Sequence, residues 1–111
     1  MQVKIVSKNF DIPFSHTLKV AREYGRYASL KTLFSRSKDA IISEVEKSGL
    51  RGKGGGGALT GEKWRLIPTQ SEQPTYLVVN ADESEPGTFK DRHILEFDPH
   101  LLIEGIICSS Y

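Results

Sequence analysis

The sequence predicts an α/β fold in which short N-terminal helices lead into the first part of a parallel sheet. One observation is a helix with clear boundary signals at residues 38–48. Another is a run of large apolar residues, Tyr-Leu-Val-Val, at positions 76–79. A continuous apolar run of this length is typical of a strand that is buried on both faces, as in parallel sheets. Helices on both sides of this run complete the α/β pattern.

Short helices are predicted in the N-terminal third of the chain. Residues 17–24 form the first, with Ser15 as its N-cap and Gly25 as its terminator. Residues 27–34 form the second. The basic residues of this region are expected to form a solvated surface.

The helix over residues 38–48 has the clearest signals. Ser37 suits the N-cap, Asp39 lies in the first turn and Lys47 in the last, so both charges complement the helix dipole. Gly49 is the expected residue just beyond the C-terminus. This helix therefore leads directly into the stretch that follows it.

That stretch is rich in glycine, which fills six of the nine positions 49–57. Backbone N–H groups in such a run can approach a ligand that any Cβ would exclude, so the stretch suits a phosphate group or a flat cofactor. A flexible glycine linker is the alternative. A short helix is predicted over residues 61–66, with Thr60 as its N-cap. The candidate binding residues are Gly52, Lys53, Gly54, Gly55, Gly56, Gly57, Thr60, Gly61 and Lys63.

Two familiar phosphate-binding motifs do not fit this stretch. Gly52, Gly54 and Gly57 match G-x-G-x-x-G, but that fingerprint requires a strand immediately before it, whereas a helix is predicted here. The P-loop requires a lysine at the position that Glu62 occupies.

Polar and acidic residues follow the predicted strand directly. In open α/β sheets, ligands bind beyond the carboxyl ends of the strands. Asn80, Asp82, Glu83 and Glu85 therefore stand where a ligand would bind. The alternative is an acidic turn that only caps the next helix.

Two helices are predicted after the acidic residues. Residues 88–97 form the first, and Asp98 and Pro99 start the second, as a capping residue and a proline at the first helical position. Residues 101–108 are mostly apolar, so we expect this last helix to be buried, with Cys108 as a small core residue.

Composition excludes several classes of protein. The net charge of +1 indicates neither nucleic acid nor an anionic membrane as a partner. The N-terminus lacks the apolar region of a secretory signal, and no segment has the length of a membrane span, so we expect a soluble, cytoplasmic chain. A single cysteine excludes an internal disulfide and a cysteine-clustered metal site, so no metal ligands are assigned.

Two motifs together resemble a known family. Residues 48–64 (SGLRGKGGGGALTGEKW) and 79–92 (VNADESEPGTFKDR) are similar to the flavoprotein subunit of respiratory complex I, the FMN- and NADH-binding F subunit of bacterial NADH–quinone oxidoreductases. Residues 98–107 (DPHLLIEGII) and 15–18 (SHTL) add to the resemblance. The same module occurs in diaphorase subunits of NAD-linked hydrogenases and formate dehydrogenases.

The resemblance implies an architecture and an activity. It implies an N-terminal arm with short helices over residues 1–47 and, over residues 48–111, the start of a Rossmann-like, parallel-sheet domain that binds FMN and NAD(H). Proteins of this family pass a hydride from NADH to FMN, and electrons then leave singly for an iron–sulfur cluster and quinone. The cofactor carries the chemistry, while the protein supplies placement and electrostatics.

The family also implies partners and parts that lie beyond this chain. Its partners are NADH and the other peripheral-arm subunits of complex I or a related complex, on the cytoplasmic side of the inner membrane and without direct membrane insertion. The 4Fe-4S cluster site is expected only in a missing C-terminal part, so the chain of 111 residues is expected to be inactive alone. The alternatives are a non-catalytic fragment and a diaphorase subunit of a hydrogenase or formate dehydrogenase.

The resemblance assigns a role to each candidate residue by motif. Gly52, Gly54, Gly55 and Gly57 would let the isoalloxazine and the dinucleotide lie against backbone, and Lys63 would hydrogen-bond FMN. Asn80, Asp82 and Glu83 would contact the flavin ring and the ribityl chain. Glu85 would border the nucleotide cleft and repel the extra phosphate of NADPH. No residue is assigned a catalytic role beyond cofactor placement, with Glu85 as the one candidate.

The chain departs from the family pattern at several positions in the first motif. Lys53 replaces an arginine and Gly56 an alanine. Ala58 and Leu66 stand where the family has aromatic residues that are implied to sandwich the adenine. Aromatic contacts of this kind contribute about 0.5–1.5 kcal/mol beyond burial, so the departures imply weaker NADH binding.

Overall fold

The structure is a computed structural model that describes residues 3–53, 55–68 and 72–111. Within these ranges the chain forms six helices and no strand. They are α1 (Leu18–Glu23), α2 (Leu30–Phe34), α3 (Lys38–Ser48), α4 (Thr60–Arg65), α5 (Lys90–Phe97) and α6 (Pro99–Ser110). No helix in the described residues is long and apolar enough to cross a membrane.

The prediction of a Rossmann-like parallel sheet is wrong for the part of the chain that the structure describes. Residues 76–79 form no strand there, and their exposed fractions range from 43% at Val79 to 86% at Val78. The apolar composition of this run favours a strand, but a strand is stable only when its backbone N–H and C=O groups pair with a neighbour. The described residues supply no such neighbour, and their one β-bridge joins Arg51 and Leu59.

The chain divides into two compact units. The first, here called the terminal unit, comprises Met1–Lys31 and Leu77–Tyr111. The second, the central unit, comprises Thr32–Tyr76.

A buried ion pair joins the two segments of the terminal unit. The side chain of Asp98 is fully buried, and that of Arg26 is 14% exposed. The Arg26 Nε donates to both carboxylate oxygens of Asp98 at 3.2 and 3.1 Å, and Nη2 donates to Oδ2 at 2.5 Å. Charge-assisted bonds of this forked kind are the strong ones in proteins. The pair therefore fixes the turn before α2 against the junction of α5 and α6.

This pairing corrects the role predicted for Asp98. Asp98 does occupy the N-cap position of α6 and Pro99 does begin the helix, but the Asp98 side chain makes no capping bond. Its carboxylate is turned to Arg26 instead. A buried carboxylate is strongly disfavoured by desolvation unless it is paired, so the ion pair takes precedence over the cap.

Further polar contacts reinforce the same junction. The Glu104 carboxylate on α6 accepts the backbone N–H of Tyr27 at 3.0 Å and the hydroxyl of Ser29 at 2.9 Å. The Tyr27 hydroxyl lies 2.5 Å from Nδ1 of His100, and the two rings meet edge to face. Burial, and then the negative charge of Glu104, raise the pKa of Tyr27.

An aromatic cluster packs around α5. The ring of His93 lies 5.1 Å from that of Phe89, 5.5 Å from that of Phe97 and 6.4 Å from that of Phe10. The Phe10 and Phe97 rings are 5.8 Å apart. Ring separations of this size are the favourable range for aromatic pairs. The cluster therefore ties the N-terminal segment to α5.

The terminal unit has little conventional apolar core. Among the described residues, Ala21 is the one buried hydrophobic side chain, and α6 has no buried residue. The prediction that the last helix is buried is therefore wrong, and Cys108 is half-buried. Polar contacts and the aromatic cluster, both of which join residues widely separated in sequence, hold this unit together.

The structure also tests the capping residues predicted for α1 and α3. Thr17, and not Ser15, caps α1, with its hydroxyl accepting the Val20 N–H at 3.5 Å. Ser15 is buried and donates to the carbonyl of Phe97. The caps of α3 are confirmed: the Ser37 hydroxyl accepts the Ala40 N–H at 3.2 Å, and Gly49 adopts a left-handed φ of 67°.

In the central unit, α3 and α4 pack closely because residue 61 has no side chain. A Cβ at Gly61 would lie 2.7 Å from the backbone N of Glu46 and 2.9 Å from its Cα. The Arg65 guanidinium then bonds three α3 side chains: Glu46 through Nε at 2.5 Å, Asp39 through Nη1 at 2.7 Å and Ser43 through Nη2 at 2.8 Å. The hydrogen bond with Arg65 lowers the pKa of Glu46.

We predict that Asp98→Ala destabilises the terminal unit. Removing one partner of a buried ion pair leaves an uncompensated charge, which costs about 3–5 kcal/mol. Urea denaturation followed by circular dichroism measures the loss. Asp11→Ala is the matched control, because the Lys4–Asp11 pair is exposed and should contribute about 0–1 kcal/mol. Equal losses in the two variants would contradict the dependence on Asp98.

We predict that Gly61→Ala destabilises the contact between α3 and α4. The added methyl group would overlap the backbone of Glu46, and overpacking of this kind costs about 1–3 kcal/mol. Gly56→Ala is the control, because a Cβ there would meet no atom within 4 Å. The comparison uses thermal unfolding of the two variants, and a Gly61→Ala variant as stable as Gly56→Ala would refute the packing argument.

Candidate functional site

The glycine-rich loop is closed at its base by backbone hydrogen bonds. Its flanks, Arg51 and Leu59, form the antiparallel bridge. The N–H of Gly52 donates to the carbonyl of Ala58 at 3.0 Å, and that of Thr60 donates to the carbonyl of Leu50 at 2.8 Å. The loop is therefore a closed turn between α3 and α4, and its ends are held together.

Two glycines with positive φ angles determine the backbone conformation of the loop. Gly55 has a φ of +83° and Gly57 a φ of +63°, a region in which a side chain is strained. The Arg51 side chain crosses the loop and donates from Nη1 to the carbonyl of Gly57 at 3.0 Å. A Cβ on Gly55 would meet no atom within 4 Å, so the space beside the loop is open. This geometry lets a flat or phosphate-bearing ligand approach the backbone.

Positive side chains border the loop. Lys53 lies within it and Lys63 lies on α4, and both are exposed. Neither ammonium group forms a hydrogen bond or an ion pair within the residues that the structure describes. Both ammonium groups are therefore available to an anionic ligand. Gly54, another candidate, lies outside the described residues.

Two further candidates have structural roles in the central unit. The sequence predicts that Thr60 caps the short helix, but Thr60 is the first residue of α4, and Leu59 occupies the N-cap without a side-chain bond. The Thr60 N–H instead closes the loop base on Leu50. Gly61 is buried against α3, where it permits the close packing described above.

The acidic residues after position 79 make a series of local hydrogen bonds in the terminal unit. The Asn80 Oδ1 accepts the N–H of Asp82 at 2.8 Å, and the Asp82 carboxylate accepts the hydroxyl of Ser84 at 3.1 Å. The carbonyl of Glu85 accepts both the N–H and the hydroxyl of Thr88, at 3.2 and 2.6 Å. Side chains of this type commonly bond the backbone two residues on and so fix a turn.

Glu83 differs from its neighbours because its carboxylate is turned toward α5. Its Oε1 accepts the N–H of Asp91 at 2.6 Å, and its Oε2 accepts the Nε of Arg92 at 2.9 Å and the Arg92 N–H at 3.3 Å. The Glu83 side chain is only 10% exposed, whereas Asp82 and Glu85 are exposed. Glu83 thus satisfies N–H groups at the start of α5 that have no partner inside the helix.

The same contacts set the acidity of Glu83. Partial burial acts to raise its pKa, but the hydrogen bonds from the Arg92 side chain and from the N–H groups of Asp91 and Arg92 together outweigh burial. The pKa of Glu83 is therefore lowered. The carboxylate remains charged at neutral pH, as its partners require.

The candidate residues thus fall into two groups. The glycines, Lys53, Thr60 and Lys63 belong to the central unit, whereas Asn80, Asp82, Glu83 and Glu85 belong to the terminal unit. Within its own unit, each group is continuous along the chain and is supported by the helix next to it. Among the described residues, no cluster of three or more His, Cys, Asp or Glu side chains could hold a metal ion.

Sequence reasoning missed a cleft in the terminal unit. The cleft has a volume of about 400 Å³ and is lined by Leu18, Arg22, Arg26, Tyr27 and Ala28. Tyr27 adopts a left-handed φ of 67°, which is uncommon for a residue with a side chain. No local pattern signals this arrangement, because it depends on contacts from Arg26 and Tyr27 to residues more than seventy positions away.

Comparison with known proteins places these motifs in a family. Residues 45–111 match the family described as the Nuo51 FMN-binding domain. The match covers more than half of the chain, so the chain belongs to this family of flavin-binding domains.

The relatives are F subunits of NADH-quinone oxidoreductases. The chain is 56% identical over 97 residues to that of Rickettsia massiliae (strain Mtu5), a match that covers 87% of this chain and 23% of that protein. The chain is 55% identical over 97 residues to the corresponding protein of Rickettsia bellii (strain OSU 85-389), a match that covers 87% of this chain and 23% of that protein. It is 55% identical over 96 residues to that of Rickettsia akari (strain Hartford), a match that covers 86% of this chain and 23% of that protein. The chain thus spans 23% of the length of these relatives. The resemblance identified from the two motifs is confirmed.

We predict that acid releases the acidic loop from α5. The pKa of Glu83 is lowered in the folded chain, so its bonds are fully present above the ordinary carboxyl pKa and are lost as the pH falls through the lowered value. The amide proton of Asp91, followed by NMR during an acid titration, reports this step. Its chemical shift should change only below the ordinary pKa of a glutamate.

Glu83→Gln is the control for this titration. It removes the titrating carboxylate but leaves the carboxylate of Asp91 itself, so the difference between the two curves isolates Glu83. A difference curve centred at or above the ordinary glutamate pKa would contradict the assignment.

Proposed function

We propose that this chain is the N-terminal part of an FMN-dependent NADH dehydrogenase subunit of an NADH–quinone oxidoreductase. The subunit takes a hydride from NADH and feeds electrons to iron–sulfur clusters and quinone. The support is the family membership together with one structural observation. The glycine loop is held together at its base, has open space beside Gly55, and is bordered by two lysines whose ammonium groups have no partner among the described residues. When bound, FMN supplies the redox chemistry of such a subunit.

The residues present fit FMN. The backbone at Gly52, Gly54, Gly55, Gly56 and Gly57 is assigned to the face of the flavin and to its phosphate. The ammonium groups of Lys53 and Lys63 supply the positive charge that a phosphate and a reduced, anionic ring require. Thr60 and Gly61 belong to the site as the start of the helix that supports the loop.

The acidic residues of the terminal unit are also assigned to cofactor binding. Asn80, Asp82 and Glu83 belong to the flavin side. Glu85 borders the nucleotide side, where its carboxylate repels the extra phosphate of NADPH. Its side chain is exposed and is therefore able to take this role.

The wider setting is inferred from the proposed subunit. We propose that residues 1–47 are an N-terminal arm and that residues 48–111 begin the FMN- and NADH-binding domain, which the family match over residues 45–111 supports. The partners are NADH and other peripheral-arm subunits, with no nucleic acid and no membrane insertion. The subunit is assigned to the cytoplasmic side of the membrane, and its 4Fe-4S cluster is assigned outside this chain.

We predict that Lys63→Ala weakens FMN binding by about tenfold or more, since a hydrogen bond to a charged group contributes about 1.5–3 kcal/mol. FMN is titrated into the complete subunit of which this chain is proposed to be the N-terminal part, and flavin fluorescence reports the bound fraction. Lys38→Ala is the matched control, because Lys38 is an exposed lysine on the first turn of α3 in the same unit. Equal affinities in the two variants would remove Lys63 from the site.

The same titration separates the proposed function from its alternatives. Oxidation of NADH by the FMN-loaded complete subunit, measured with ferricyanide as electron acceptor, supports a dehydrogenase. Binding of FMN without NADH oxidation favours the non-catalytic fragment. Leu66, which is 82% exposed and cannot stack on adenine as an aromatic residue would, favours this second outcome.

A further inference from the structure

The loop of residues 80–84 has, within the described residues, one strong connection to the helices of its unit. Its other side-chain bonds join residues within the loop, from Asn80 to Asp82 and from Asp82 to Ser84. Within the described part of the chain, the side chain that links residues 80–84 to a helix is Glu83, through its three bonds to Asp91 and Arg92. The conformation of the loop therefore depends on this connection.

The helix that receives Glu83 is itself firmly held. His93, one turn into α5, lies within the aromatic cluster with Phe10, Phe89 and Phe97. Asp98, directly after α5, is the fully buried partner of Arg26. The Glu83 carboxylate is thus bonded to a helix that the aromatic cluster and the Arg26–Asp98 ion pair hold in place.

We propose that Glu83 and Arg92 are positioning residues for the flavin site: their ion pair on the first turn of α5 holds the neighbouring side chains of Asn80, Asp82 and Glu85 in the arrangement that the cofactor requires. This role rests on the proposed function and deepens it. Glu83 acts through the loop, because its carboxylate oxygens are already engaged by three donors and its side chain is 10% exposed.

The geometry distinguishes this role from a direct contact with the ligand. A carboxylate that binds FMN itself would keep doing so when Arg92 is removed. A carboxylate that positions the loop loses part of its effect when the Arg92 side chain is removed, because only the backbone N–H groups of Asp91 and Arg92 then hold it. Glu83 and Arg92 should therefore be coupled energetically, and a double-mutant cycle measures that coupling.

The experiment compares FMN affinity in the complete subunit with the wild-type sequence, Glu83→Ala, Arg92→Ala and both substitutions, by the fluorescence titration described above. We expect Glu83→Ala to lose about fivefold in affinity, Arg92→Ala to lose less because two backbone bonds to Glu83 remain, and the double variant to lose no more than Glu83→Ala, because residues in one network are not additive. Arg92→Lys, which keeps the charge but not the Nε donor, should restore part of the loss. Arg22→Ala, an exposed arginine on α1 in the same unit, should leave FMN affinity unchanged.

The dependence of FMN affinity on pH adds a readout that a general loss of stability would not produce. In the wild-type subunit, affinity should fall only below the ordinary pKa of a glutamate, because Arg92 and the two N–H groups lower the pKa of Glu83. In Arg92→Ala the fall should move to higher pH, since one of these hydrogen bonds is lost.

Three outcomes would overturn the proposal. They are unchanged affinity in Arg92→Ala, additive losses in the double variant, and a pH profile that does not move in Arg92→Ala. A complete subunit that binds no FMN would overturn the proposed function and, with it, this role. In that case the acid titration of the Asp91 amide, repeated on Arg92→Ala, still shows whether Arg92 sets the pKa of Glu83, so the two failures are distinguished.

Discussion

The terminal unit depends on the ion pair between Arg26 and Asp98. A carboxylate that is fully buried is tolerated only with a well-placed cation, so the side chain of Asp98 commits the turn before α2 to one position on the α5–α6 junction. The contacts of Glu104 with Tyr27 and Ser29 follow from that placement. In a unit with so little buried apolar surface, a directional polar contact takes the part that a hydrophobic core usually takes.

The two groups of candidate residues share one construction. In each, an irregular loop carries the candidate binding groups, and a helix next to it fixes the loop. The glycine loop begins at the C-terminus of α3 and ends at α4, whose separation is set by Gly61 and Arg65. The acidic loop is fixed to α5 by Glu83. Binding residues on loops that a rigid scaffold positions are the general pattern in proteins.

Local signals explain which predictions from sequence succeed. The boundaries of α3 are predictable because Ser37 and Gly49 act only on neighbouring residues. The two motifs identified the family for a similar reason, since the spacing of the glycines and the pattern of acidic residues are local features of the sequence.

The predictions that failed involve partners that are distant in the sequence. Residues 76–79 have the composition of a strand but no neighbouring strand in the described chain. Ser15 and Asp98 are residue types that commonly cap helices, but their side chains bond partners that are 82 and 72 positions away in the sequence. Glu83 is an intermediate case. Its partner Arg92 is near in the sequence, but the sequence does not show that the two side chains meet.

The absence of a side chain at position 61 has a consequence for how this domain can change. Because the backbone of Glu46 fills the space that a Cβ would need, the spacing between α3 and α4 cannot widen without losing the bonds of Arg65. Substitutions at positions 61 and 65 are therefore expected to disturb the contact between the two helices, whereas a Cβ at Gly56 would meet no atom within 4 Å. Ligand preference and structural integrity are in this way encoded by separate residues.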